Sequence, residues 1–147
     1  AHLASGGAGT GMRWPYRSPH ILTIGMLESL SRIAAFIVAF DFTGFVPENI
    51  SLDLVPSPGY EAMGISDGER TLIWLLREEH LQGEPLATVL KVNDIALGIY
   101  TLSFWDPWDA EWILSEQVAL GEPTAAITTP PFSKDIALVL HLLGSKE

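Results

Sequence analysis

The densest group of residues able to do chemistry is the run Phe104-Trp105-Asp106-Pro107-Trp108-Asp109-Ala110-Glu111-Trp112. Indoles on an exposed β surface stack on the apolar faces of pyranose rings, and neighbouring carboxylates accept hydrogen bonds from sugar hydroxyls. Two strands joined by a tight Asp-Pro turn bring Trp105 and Trp112 close and leave Trp108 at the tip, so a sugar platform is one reading. The other makes Trp105 or Trp112 part of a core and Asp106 an acceptor for turn amides, with Trp108 the hardest of the three to bury. The same run, extended to Glu116, offers Asp106, Asp109, Glu111 and Glu116 as an acid/base set. A glycosidase needs two carboxyl groups about 5 to 10 Å apart, one with a raised pKa. A wet, convex turn tip neither raises a carboxyl pKa nor excludes water, so a structural role for these acids is expected.

Other constellations carry less. Gly6 to Gly11 (GGAGTG) has phosphate-loop spacing, but Met12-Arg13 stand where Lys and then Ser or Thr are required. The run reads instead as a crowded strand exit where missing Cβ atoms let backbones approach. In Glu78-Glu79-His80 adjacent strand residues point to opposite faces, which disfavours a shared metal or proton relay. His2, His20, His80 and His141 form no zinc spacing, and no Asp-x-Asp-x-Asp calcium loop or Gly-x-Ser-x-Gly elbow occurs. No metal ligands and no cofactor are assigned from this spacing, while the plentiful acidic oxygens keep calcium as an open alternative. Cysteine is absent, which removes thiolate chemistry and disulfides without deciding the compartment.

These residues sit in a chain of 147 residues with 8 Lys plus Arg against 18 Asp plus Glu, a formal charge of -10. Such a field repels phosphate, so nucleic acid is not an expected partner. One apolar run, Ile24 to Phe40, is only 17 residues long and carries Glu28 and Arg32, so it reads as an amphipathic helix and not a membrane span. Thr23 is its expected N-cap, and Leu27, Leu30, Ile33, Ala34 and Ile37 form its expected buried stripe.

From about Ile50 the pattern changes to short apolar runs between turn signals, the mark of an antiparallel β unit. Strands are predicted at Ser51 to Val55, Glu61 to Ile65, Thr71 to Arg77, Thr88 to Val92, Ile99 to Trp105, Trp112 to Val118, Ala125 to Thr128 and Ile136 to His141. Turn residues such as Pro56-Ser57-Pro58-Gly59, Asp67-Gly68, Asn93-Asp94 and Asp106-Pro107 separate them. The predicted fold is mainly β: an N-terminal loop and helix packed on an antiparallel β-sandwich of about eight strands.

The segments ERTLIWLLREEH, VLKVNDIALGIYTLSFWDPWDAEWI and PPFSKDIALVLHLL resemble the C-terminal β-sandwich that follows the barrel in a group of (β/α)8-barrel glycoside hydrolases. SGGAGTGMRWPYR is similar to the last barrel strand and its loop in those enzymes, and Ile24 to Phe40 to the last barrel helix. The resemblance divides the chain into a strand-loop-helix part, 1–45, and a sandwich domain, 46–147. It departs from the family at Ala110, where the turn usually closes with Gly. It implies that the catalytic carboxylates belong to earlier barrel strands, upstream of Ala1, and that Trp14 lies beneath a sugar ring with Tyr16 and Arg17 at the active-site rim.

The expectation is therefore the C-terminal part of a polysaccharide-acting glycoside hydrolase from a secreted or periplasmic parent. The sandwich would serve as support or as a carbohydrate-binding accessory, with Trp108 and Trp112 as further sugar contacts. The alternatives are a stand-alone carbohydrate-binding module, or a complete small glycosidase using the carboxylates of residues 106–116. Without a barrel against it, the apolar helix 24–40 is expected to form a homodimer or to tuck into the sandwich.

Overall fold

The computed structural model describes residues 24–78 and 83–145. Helix α1 (Ile24–Phe40) is followed by strands β1 (Glu48–Asn49), β2 (Leu54–Pro56), β3 (Tyr60–Ser66), β4 (Arg70–Arg77), β5 (Val89–Val92), β6 (Gly98–Asp106), β7 (Glu111–Leu120), β8 (Ala125–Thr128) and β9 (Asp135–Ser145). They form a six-stranded sheet, ordered β1-β3-β4-β9-β6-β7, and a three-stranded sheet, ordered β2-β5-β8. Every pairing is antiparallel, and the fold is the predicted β-sandwich.

The strand pattern in the sequence follows from which faces are covered. In β5 and β8 burial alternates, because one face meets the core and the other meets water. β4 reads TLIWLL without alternation because both of its faces are covered. One face looks into the sandwich core, where Ile73, Leu75, Tyr100, Phe104, Leu138 and Leu140 meet Leu54, Leu90, Val92 and Ile127 of the small sheet. Tyr100 is buried there and donates its hydroxyl to the carbonyl of Ala96 at 2.8 Å; burial pushes its phenol pKa up. At the sandwich margin the buried guanidinium of Arg77 donates to the carbonyls of Glu84, Phe132 and Ser133.

The other face of the large sheet meets α1. Phe36 and Phe40, one helical turn apart, pack with Ile65, Leu72, Trp105 and Ala137. Phe36 places its ring 5.6 Å from Trp105 and 6.2 Å from Trp74. After the helix the chain reverses through Asp41 and Gly44, both at positive φ, and adds Phe42 and Phe45 to the aromatic group. Arg70 clamps this turn: Nη1 donates to the carbonyls of Asp41 and Thr43, and its guanidinium lies 5.0 Å from the Phe45 ring centroid. Asp67 holds Arg70 in place through a 3.1 Å ion pair.

Three expectations are corrected. The buried side of α1 is the Phe36/Phe40 side; of the expected stripe, Leu27, Ala34 and Ile37 are exposed, and Leu30 and Ile33 only part-buried. Residues Ser51–Asp53 form a single 3-10 turn instead of strand, because Asn49 Oδ1 accepts the Ser51 amide and Ile50 O accepts that of Asp53. The short β1 was not predicted, since two residues carry no periodicity. Thr23 lies outside the described residues.

Candidate functional site

The β6–β7 hairpin is built as its turn residues dictate. Asp106 Oδ1 accepts the amides of Trp108 at 2.7 Å and Asp109 at 3.2 Å, which closes the turn. Ala110 supplies the left-handed residue, φ 55°, that glycine ordinarily supplies, at a cost of about 1 kcal/mol. A register shift between Phe104 and Trp105 then brings Trp105 and Trp112 side by side on the α1 face, with ring centroids 5.1 Å apart at 78°. Trp105 is 4% exposed and belongs to the aromatic layer under α1; Trp112, beside it, is 39% exposed.

Trp108 is 47% exposed but is not a free platform. Its indole N–H donates to Asp135 Oδ1 at 2.6 Å, while the other oxygen of Asp135 accepts the Trp74 indole N–H at 3.0 Å. One carboxylate thus bridges two indoles and draws the hairpin tip onto the start of β9. Lys134 Nζ stands 4.3 Å from the Trp108 ring centroid and the Arg32 guanidinium 5.7 Å from it, so cations already occupy positions at the ring. Trp74, Asp135, Lys134 and Arg32 were not foreseen as partners of Trp108. No local spacing links them: the two indole bonds of Asp135 span 27 and 61 residues.

Of the hairpin carboxylates, Asp106 and Glu111 are the two that the strand register sets directly opposite each other. Asp106 is committed to turn amides, Glu111 lies opposite it across the hairpin, and Asp109, Glu111 and Glu116 are exposed. Glu116 stands five residues along β7 from Glu111, roughly 17 Å at strand rise, beyond the span of either glycosidase geometry. Among the described residues no group of three or more His, Asp or Glu is placed to hold a metal ion. Of the histidines, His141 lies exposed on the α1 face of β9, and the others fall outside the described residues. Trp14, Tyr16 and Arg17 also lie outside them, as do Glu79 and the GGAGTG run.

α1 itself presents a second feature. On the side away from Phe36 and Phe40 it exposes Leu27 (51%) and Val38 (82%), and on the flank of the buried side Met26 and Ile37 are also exposed. No helix among the described residues is long and apolar enough to cross a membrane. Comparison of the sequence with protein-family models gives no match, and comparison with curated proteins gives none.

Proposed function

We propose that this chain is the C-terminal portion of a polysaccharide-acting glycoside hydrolase, its β-sandwich serving as a structural or carbohydrate-binding accessory domain. The observation that carries this reading is the two-sided character of α1. Phe36 and Phe40 hold the helix on the sandwich, while Leu27 and Val38 lie on the side away from them and are exposed. A helix apolar on both sides is made to be buried between two bodies. The resemblance supplies the second body, because Ile24 to Phe40 is similar to the last helix of the catalytic barrel. Catalysis would then belong to barrel strands, with Asp106 of the hairpin already committed to its turn amides.

The same exposed stripe supports one further arrangement: in the isolated chain, two copies pair through it as a homodimer. Light scattering on the wild type and on Val38→Glu measures this, with the substitution expected to leave a monomer. The functional reading is tested by incubating the purified chain with xylan and mixed-linkage β-glucan. The expected result is no reducing-sugar release above background. Hydrolysis that disappears in Glu111→Gln or Asp106→Asn would overturn the reading in favour of a complete small glycosidase.

A further inference from the structure

α1 covers only part of the outer face of the six-stranded sheet. Beyond the helix, the strand registers place side chains in rows on this face. His141, Thr101 and Gln117 form one row across β9, β6 and β7. Ser103 and Ser115 lie in the next row, and the last ends on Trp112. Ser115, Gln117, His141 and Trp112 are exposed, and Thr101 and Ser103 are part-buried. From Thr101 to the Trp105–Trp112 row the strip runs four residues, roughly 13 Å at strand rise.

None of these six residues is Asp, Glu, Lys or Arg, in a chain with 18 acids and a formal charge of -10. The acids of β7 lie elsewhere: Glu111 at the hairpin tip, and Glu116 opposite Leu102, whose side chain belongs to the core on the other face. The nearest cation in the rows, Arg70, is engaged by Asp67 and by two carbonyls of the turn after α1. A solvated sheet face in so acidic a protein would ordinarily carry charge; this one presents hydroxyl, amide and imidazole groups between an indole and the exposed Ile99.

Serine, threonine, glutamine and neutral histidine each both donate and accept hydrogen bonds, as sugar hydroxyls do. Ser103 and Ser115 bond each other at 2.8 Å, which uses one hydrogen and leaves acceptor lone pairs on both oxygens. An anionic polymer would meet the repulsion of the whole chain. A protein partner favours an interface with an apolar centre and a polar rim, whereas here the polar groups are central, with the indole at one end and Ile99 at the other. We propose that this strip is a binding face for an uncharged polysaccharide, laid across the rows with one pyranose ring against Trp112. The proposal rests on the glycoside-hydrolase reading and deepens it, moving the main sugar contact from Trp108 to the sheet.

The test titrates the purified chain with soluble xylan, mixed-linkage β-glucan and mannan, with polygalacturonate as anionic control, by calorimetry and amide NMR. Gln117→Ala and Thr101→Val are each expected to weaken binding of a neutral glycan about five- to tenfold, the loss of one hydrogen bond. Both should keep the wild-type circular dichroism. Lys91→Ala, on the small sheet, should bind as wild type. Loss of binding in Trp108→Ala with the strip variants unaffected would overturn the proposal while leaving a carbohydrate-binding accessory domain. Equal binding of polygalacturonate, or no binding of any of the three neutral glycans, would overturn the proposal and leave the structural accessory role to the hydrolysis assay. A dimer dissolved by Gln117→Ala would also overturn it, by assigning the strip to a second copy.

Discussion

The outer face of the six-stranded sheet has two halves built on the same strands. Under α1, β4 and β6 present Leu72, Trp74 and Trp105, and the helix meets them with Phe36 and Phe40. Past the helix the same β6 presents Thr101 and Ser103, facing Gln117 and Ser115 of β7. The period-two alternation is unbroken along β6 from Thr101 to Trp105, so the change is one of residue type and not of geometry. Buried aromatic rings occur where a second layer covers the sheet; where it stops, neutral hydrogen-bonding groups stand between the exposed Trp112 and Ile99. The covered half owes its stability to packing; the bare half faces solvent.

Phe36→Ala tests that contrast most severely. Phe36 is 3% exposed and touches Phe40, Phe42, Trp74 and Trp105. Its truncation should cost about 3 to 5 kcal/mol in urea denaturation and speed amide exchange along α1. Thr101→Val, in the bare half, should change stability by less than about 0.5 kcal/mol. Equal losses would mean that the bare half is structural as well.

Asp135→Asn addresses the boundary between the halves. The carboxylate accepts both indole N–H groups, from Trp74 under the helix and Trp108 at the hairpin tip. Replacing one charged oxygen by an amide NH2 leaves an indole facing a donor and should cost about 1 to 2 kcal/mol. The indole N–H resonances of Trp74 and Trp108 should shift in NMR spectra. Unchanged stability would separate the hairpin tip from the covered half.

The smallest effect is expected at Asp67, which steadies the Arg70 clamp on the turn after α1. Burial acts to raise its carboxyl pKa, but the amides of Arg70 and Glu69 and the Arg70 guanidinium outweigh it and hold the group below its ordinary value. Its contribution is therefore fully present above the ordinary carboxylate range and is lost as pH falls through the lowered folded value. Asp67→Asn should flatten the acid end of a stability-versus-pH profile and leave its neutral slope unchanged. An unaltered acid limb would show that the clamp does not depend on this charge.

Much of the fold was legible because local pattern and local cause coincide. The helix at 24–40 and seven of the eight strands lie at or within a few residues of their predicted positions, since apolar runs and turn residues report local backbone preference. Asp106 as acceptor for the turn amides was equally readable. The buried side of α1 was not. Leu27, Ala34 and Ile37 are as apolar as the side that is buried, and what selects Phe36 and Phe40 is the surface of Trp74 and Trp105, supplied from strands far along the chain. Trp108 was placed at a turn tip correctly, yet its tie to Asp135 has no local signature.

The sequence by itself determined the class of fold, the turns, the acidic net charge, and the aromatic richness of the 104–112 run. Those properties depend on residue type and short spacing, which a linear chain displays directly. Only the tertiary structure decided that β9 lies between β4 and β6, that one carboxylate joins two distant indoles, and that His141, Thr101 and Gln117 share a row. Each depends on which strands pair across long loops, and strand order is set by how the whole core is buried, not by any stretch of neighbours.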